Sequence, residues 1–216
     1  MNIITQDISF SDTSLTLTNQ RVLFWEKHHT LILSDLHLGK AAHFRKNGIA
    51  LPTQVTLQDL QRLEQLIHYF PVKQVIIVGD LIHAGANTEV DLLRQFIAKF
   101  PHIKFILIKG NHDRFADERW KKLGIQEIYQ NWRLDNICFT HQASSAANIH
   151  TVSGHIHPGV SVRMPTKRTM TFPCFVVSAQ QIILPAFSLF TGFDIKSTTI
   201  NAIRYAFHEN DIFCIR

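Results

Sequence analysis

Five short clusters of Asp, Asn, His and Gly stand out in a chain of 216 residues. They are Asp35-x-His37, Gly79-Asp80, Gly110-Asn111-His112-Asp113, His141 after Phe139-Thr140, and Gly154-His155-Ile156-His157. Carboxylate, amide and imidazole groups without cysteine make an oxygen-and-nitrogen ligand set suited to Mn, Fe, Zn, Co or Ni. Asp35, His37, Asp80, Asn111, His141, His155 and His157 are too many ligands for one catalytic ion and enough for two sharing a carboxylate. Two ions about 3.5–4 Å apart clamp the attacking and leaving oxygens of a phosphoryl centre and acidify bound water. His112 can carry a proton, and Asp113 can orient it. In extended chain, residues two apart project to one side, so Asp35 with His37, and His155 with His157, are each expected to aim at one point. The glycine ahead of each motif permits a sharp turn and a close approach. Singly, each fragment has an ordinary reading as a turn, a surface feature or a structural histidine. Their joint occurrence at the ends of predicted strands does not.

The elements that must position these groups follow from periodicity. The first thirty residues alternate apolar and polar in short runs, as in Leu15-Thr16-Leu17-Thr18, and predict a hairpin or meander. Thr30 to Ser34, Val75 to Val78 and Lys104 to Ile108 are apolar runs, and each ends in one of the clusters. Helical stripes lie between them, at roughly 53–70 through Leu60, Leu63, Leu66, Ile67 and Phe70, and at 88–100 through Val90, Leu93, Phe96, Ile97 and Phe100. Pro71 and Pro101 close them. Strands alternating with helices imply a largely parallel sheet whose ligands gather at the carboxyl ends of its strands. A shorter helix is expected at about 115–123. The remainder reads as β, with runs at Ile137–Thr140, Ile149–Ser153, Val160–Met164, Phe175–Ser178 and Ile182–Leu184, and a last one ending at Ile215. Met164 to Thr169 is either a mobile basic loop or a solvated hairpin tip. No repeat or linker divides the chain, so residues 1–216 are expected to form a single domain.

Composition bounds the remaining choices. A hydrophobic content of 45% with mean hydropathy near zero describes a globular chain, not a disordered one. The formal charge of +5 suits a polyanionic partner and is equally met by ordinary surface charge. Cys138, Cys174 and Cys214 are odd in number, widely spaced and flanked by apolar residues, the usual context of buried free thiols in a reducing compartment. The amino terminus lacks the pattern of a signal peptide, and no apolar run is long enough to span a membrane. The expected location is cytoplasmic, away from membranes.

The ordered set Asp-x-His, Gly-Asp, Gly-Asn-His-Asp, His, Gly-His-x-His resembles the calcineurin-like metallophosphoesterases over about residues 30–160. That resemblance implies an α/β fold, a four-layer αββα sandwich of two mixed β-sheets with a dinuclear site at the sheet edge. Carried over by position, it implies one ion on Asp35, His37, Asp80 and His157 and a second on Asp80, Asn111, His141 and His155, bridged by Asp80. His112 would protonate the leaving group or touch the phosphate, with Asp113 holding it. A narrower likeness rests on Ser34-Asp35-Leu36-His37-Leu38-Gly39-Lys40, His43-Phe44-Arg45, Gly48, Pro52, Gly79-Asp80-Leu81-Ile82-His83 and Leu184-Pro185-Ala186-Phe187-Ser188-x-Phe190-Thr191-Gly192. These segments are similar to bacterial phosphoesterases that accompany an ATP-dependent DNA ligase and a helicase in DNA repair. They imply a manganese-dependent phosphodiesterase or endonuclease. The chain departs in Gln142, where many superfamily members have Gly, and in Ser188 and Phe193, where the subgroup often has Gly.

Lys40, His43, Arg45 and Arg114 lie close enough in sequence to the clusters to meet a phosphate, or are solvated charges. His83 is a supporting partner of the ligands, a substrate contact or a structural histidine. Three functions remain open. The first is a two-metal phosphodiesterase cleaving single-stranded or flapped DNA with a metal-bridged hydroxide as nucleophile. The second uses the same site on a small nucleotide, a lipid-linked diphosphate or a phosphomonoester. The third is a non-catalytic binding module of a repair complex, whose expected sign, a lost ligand, is missing.

Overall fold

The computed structural model describes residues 1–40, 48, 54–83, 87–142, 149–196, 199 and 201–215. The alternating amino-terminal segment forms a meander of β1 (Thr5–Phe10), β2 (Thr13–Thr18), β3 (Leu23–Trp25) and β4 (Thr30–Leu33), each antiparallel to the next. Parallel pairing then adds β5 (Gln74–Val78), β6 (Lys104–Ile108) and β7 (Glu127–Tyr129). The connections carry α1 (Val55–Tyr69), α2 (Asn87–Ala98) and α3 (Asp117–Lys122). At the end of α1, Phe70 is already extended, because the residue before a proline is pushed out of the helical region.

Side-chain alternation divides this sheet between two cores. Leu31, Leu33, Val75, Ile77, Phe105 and Leu107 face the helices and pack with Leu60, Leu63, Leu66, Val90, Leu93 and Phe96. Their neighbours Ile32, Ile76, Val78, Ile106 and Ile108 face the other way, onto Phe139, Val152, Phe175, Ile182 and Phe207 of a second sheet. Strands buried on both faces have no polar side to show, hence the unbroken apolar runs.

The second sheet contains β8 (Asn131–Leu134), β9 (Ile137–Thr140), β10 (His150–Ser153), β12 (Thr169–Val177), β13 (Gln181–Ile183), β14 (Ile203–His208) and β15 (Asp211–Ile215). Its order is β15-β14-β12-β13-β10-β9-β8, and β11 (Gly159–Arg163) pairs with the first half of β12. Strands β9, β10 and β13 are parallel and the rest antiparallel, so both sheets are mixed. Two mixed sheets packed face to face are what the sequence led us to expect. The described helices all cover the first sheet. On the outer face of the second, Phe172, Cys174, Val176, Ile183 and Ala206 pack with Val160 and Val162 of β11, and among the described residues no helix lies on that face. Met164 to Thr169 is the tip of the β11–β12 hairpin, closed by Met164 N–H donating to Arg168 O at 2.8 Å.

The three cysteines are free, and only Cys174 is buried. Cys138 is half-buried and Cys214 is exposed, contrary to the expectation from their apolar neighbours, since Cys214 lies on edge strand β15. No helix among the described residues is long and apolar enough to cross a membrane.

Ile106 is fully buried between the sheets on strand β6, which is flanked by β5 and β7. Ile106→Ala is expected to lower unfolding stability by about 2–5 kcal/mol through lost burial and the cavity left behind. Urea unfolding of the two proteins measures it.

Candidate metal centre

Strands β4, β5 and β6 of one sheet and β9 and β10 of the other deliver the five polar clusters to one rim of the sandwich. Backbone pairing continues past β4 and β5: Asp35 N–H donates to Gly79 O at 3.0 Å, His37 N–H to Asp80 O at 2.9 Å, and Leu38 N–H to Leu81 O at 2.9 Å. These bonds fix the first two clusters against each other.

At the rim the backbone leaves the extended region. Asp35, His37, Asp80, His155 and His157 all have left-handed φ, between 47° and 71°. For residues other than glycine that conformation is uncommon, and it gathers at functional sites. It also corrects the expectation that His155 and His157 share a target. The chain is coiled there, not extended, and the two rings diverge. His157 joins Asp35 and His37, whereas His155 joins Asp80 and His141, with the ligand atoms of each trio within 4.8 Å of one another. Asp35 and His37 do meet at one place, through a turn that alternation does not foresee.

Each aspartate divides its oxygens. Asp35 Oδ2 accepts from His155 N–H at 3.0 Å, while Oδ1 lies 3.3 Å from His157 Nε2 and 3.9 Å from His37 Nε2. Asp35 is fully buried, and among the described residues Oδ1 has no hydrogen-bond partner. Asp80 Oδ1 accepts from His112 N–H at 3.0 Å. Its Oδ2 stands 3.5 Å from His141 Nε2 and 4.0 Å from both His37 Nε2 and His112 Nε2, so one oxygen faces both trios. Asn111 Oδ1 is 3.1 Å from His141 Nε2, which is also 3.1 Å from His155 Nδ1. His37 Nε2 and His157 Nε2 face each other at 3.2 Å. Two ring nitrogens so placed need a proton or a cation between them, and an orphaned buried carboxylate oxygen needs the same. The residues therefore fit two divalent ions, one at each trio, with Asp80 between.

Three glycines make room for this. A Cβ on Gly79, whose φ is +81°, would run into the His141 ring, and one on Gly110 into the Asp80 carboxylate. One on Gly154 would lie 2.6 Å from Asp35 Oδ2.

The electrostatics match. Burial drives the His37 pKa down to about 3 against the pull of Asp35, which leaves a neutral ring with a free lone pair. Burial would raise Asp80, but hydrogen bonds from His141 and the His112 amide outweigh it and keep the carboxylate ionised. Burial would lower His141, yet its bond to Asp80 and the charges of Asp35 and Asp80 hold its pKa above the ordinary value.

Asp113 takes a different part from the expected one. Its Oδ1 accepts from Leu81 N–H at 3.0 Å and Ile82 N–H at 3.2 Å, and Oδ2 from Gly110 N–H at 2.9 Å. A carboxylate committed to three amides clamps two ligand loops together and makes no bond to the His112 ring. That ring lies instead against His83, with centroids 4.5 Å apart, and near His37 at 5.8 Å. Lys40 is half-buried beside the site, its pKa lowered by burial against the pull of Asp35 and Asp80. Arg114 is exposed. His43 and Arg45 lie outside the described residues. A polar groove of about 380 Å³ opens beside Asn111 and His141, lined also by Lys109, Gln130, Asn131 and Gln142.

Residues 28–185, most of the chain, match the sequence profile described as Calcineurin-like phosphoesterase (Metallophos). The chain belongs to that family. A crystal structure of Pseudomonas putida nuclease MPE is similar to this phosphoesterase with a TM-score of 0.83 and 26% identity, covering 98% of this chain and 100% of that one. An Aquifex aeolicus protein of unknown function, AQ665, aligns at a TM-score of 0.41 and 16% identity over 59% of this chain and 78% of its own. Comparison with curated proteins finds no match.

A support for the phosphoesterase site was missed in the sequence. Phe187 N–H donates to Ser34 O at 2.8 Å and Ser188 N–H to Asp35 O at 3.3 Å, so the segment after β13 braces the first ligand loop. Buried Arg21 donates to Ala186 O at 3.1 Å and to Ser188 O at 2.7 Å. Arg62, paired with Asp59 at 3.2 Å, donates to Phe187 O, and Asp59 Oδ1 accepts from Leu189 N–H at 3.3 Å. The available signal was an Asp-x-x-Arg pair bordering the apolar stripe of α1.

Two outcomes are expected. Gly79→Ala should displace His141 and weaken binding at the second trio, read as loss of about one Mn²⁺ per chain in equilibrium dialysis. The raised His141 pKa means that an ion there must displace a proton. Because that pKa lies above the ordinary histidine value of about 6.5, affinity should already be falling as the pH drops toward about 6.5 and approach a loss of about tenfold per pH unit below it, with His37 offering no competition. Calorimetric Mn²⁺ titrations on either side of that pH, equal in affinity, would refute it.

Proposed function

We propose that this phosphoesterase is a manganese-dependent phosphodiesterase that cleaves DNA, on single-stranded or flapped substrates. The observation that carries the reading is the end-to-end likeness to a nuclease, 26% identical over 98% of the chain, in a protein that retains the whole ligand set. The formal charge of +5 is in keeping with a polyanionic substrate. The narrower sequence likeness supports a cytoplasmic setting in DNA repair, beside an ATP-dependent ligase and a helicase, and the three free cysteines suit a reducing compartment.

Two divalent ions, one on Asp35, His37, Asp80 and His157 and one on Asp80, Asn111, His141 and His155, would supply positive charge against the phosphoryl oxygens and acidify water. The chain's own groups do the rest. Hydrolysis forms a bond from phosphorus to a water oxygen and breaks the bond to the leaving oxygen, which must gain a proton. His112 is the group suited to give it. Its side chain is 36% exposed at the rim, 4.0 Å from Asp80 Oδ2, and its face is held by His83. Asp80 fixes its backbone by accepting from the His112 amide, and Asp113 steadies the same loop by accepting from the Gly110 amide.

His112→Ala should keep both ions and lose about 10²–10⁴ in turnover on alkoxide leaving groups, with little loss on nitrophenolate, which needs no proton. An equal rate on an oligonucleotide would remove His112 from the mechanism. Asp80→Ala should lose both ions and all activity; a fully metallated, active variant would sink the bridging role.

A second reading, hydrolysis of a small nucleotide, is favoured by the groove beside Asn111 and His141, whose 380 Å³ lies in the range of small-ligand pockets. A metal-by-substrate screen separates the two. It compares bis-(p-nitrophenyl) phosphate, p-nitrophenyl phosphate, nucleotides, and single- and double-stranded DNA, with Asp80→Ala as control. Cleavage of nucleotides but not of DNA would overturn the first reading.

A further inference from the structure

From Asn136 to Phe193 the chain contains no Asp or Glu, although it contains Arg163, Lys167 and Arg168. Those three cations fall within one structural feature, the hairpin of β11 and the first half of β12. Strand β11 starts two residues after the ligand His157, and its base is tied down by Gly159 N–H donating to Asp194 O at 3.0 Å and Asp194 N–H donating to His157 O at 2.9 Å.

The register shows which way the hairpin points. Strand β10 runs toward the metal rim and ends at Ser153, level with Ile183 of the parallel strand β13. Strand β12 is antiparallel to β13, with Val176 opposite Ile183, so the residues before Val176 extend beyond the rim. Gly159 faces Pro173 and Arg163 faces Thr169. The tip thus stands a further four residues, roughly 13 Å of strand, out on the side of the sandwich that holds the metal ligands. Val160 and Val162 turn one face of β11 onto the outer apolar cluster. Ser161 and Arg163 turn the other face to solvent. Arg163, Lys167 and Arg168 are exposed, and among the described residues none of them is in an ion pair.

Three exposed cations without an ion pair among the described residues, in a stretch that lacks acids for 58 consecutive residues, are free to meet an anion from outside the chain. We infer that the β11–β12 hairpin is a backbone clamp: Arg163, Lys167 and Arg168 hold the phosphates of a single DNA strand next to the one at the metal ligands. The inference rests on the DNA-cleaving reading and adds where the strand runs. It leaves chemistry to the rim and gives the hairpin affinity without base readout, since phosphate contacts position a strand and carry no sequence. Guanidinium groups on a strand that projects past the ligands are in place to meet phosphates before and after cleavage.

The test uses the full chain loaded with Mn²⁺ and a fluorescent single-stranded oligonucleotide, binding being read by anisotropy across a salt series. Each phosphate contact on a single strand contributes roughly 0.7 to the slope of log affinity against log salt. The triple variant Arg163→Ala, Lys167→Ala, Arg168→Ala should therefore lose roughly 2 from that slope and bind at least about tenfold more weakly in moderate salt. Its turnover of bis-(p-nitrophenyl) phosphate, too small to reach the hairpin, should be unchanged. Arg163→Lys with Arg168→Lys should keep the wild-type slope, which separates charge from hairpin structure. An unchanged slope in the alanine variant overturns the clamp, as does a parallel loss on the small diester. Wild-type protein inactive on the small diester would overturn the phosphoesterase reading whatever the salt series gives.

Discussion

Asp35 and Asp80 each bind a backbone amide with one oxygen and turn the other toward imidazole nitrogens. That division is the constraint on which the rest of the site depends. The amide bonds tie each carboxylate to a ligand loop other than its own, His155 for Asp35 and His112 for Asp80. The free oxygens then lie in a buried setting where negative charge is costly without a partner. Neutral His37 and the raised His141 describe an arrangement built around positive charge that the side chains alone do not supply. Asp113 completes it from below by joining the loops after β5 and β6 through three amides.

The backbone bears the cost of that convergence. Five ligands sit at left-handed φ, a conformation that for residues other than glycine costs on the order of 1–3 kcal/mol each. The strain is tolerated because the loops are bonded to one another, from Asp35 to Gly79, His37 to Asp80, and Phe187 to Ser34. Glycine is needed where ligands press on main chain, at 79, 110 and 154, and each of these precedes a ligand in sequence.

Much of this was legible in the sequence. Strands β4, β5 and β6 read clearly because burial on both faces makes their runs unbroken, and each ends in a cluster. The helices of the first half follow from stripes that are buried as expected. The short strands β7 and β8 went unread because three and four partly buried residues are too few to establish a period, although Asn131–Leu134 does alternate. Strand β12 is longer than expected because its first half belongs to a hairpin whose solvent face is Thr and Arg. At the site, composition and order identified the ligands, but the parting of His155 from His157 depends on the sign of φ, which residue type does not encode. The duty of Asp113 escaped for a similar reason. Its partners are backbone amides from a distant loop, and amides leave no trace in a sequence.

The brace behind Asp35 bears on when the site comes into being. Arg21 lies near the start of the chain, Asp59 and Arg62 in its first third, and the segment they grip, Ala186 to Leu189, close to the end. A chain emerging from the ribosome amino-terminus first has made Asp35, Asp80 and Asn111 long before Phe187 exists to bond Ser34. His155 and His157 come late as well, so a partial chain holds fragments of both trios and completes neither. Contacts so distant in sequence form slowly, after the local pairs of the meander and the first parallel strands. Assembly of the site therefore waits on synthesis of the segment through Phe187, and a chain that stops short of it lacks the brace behind Asp35.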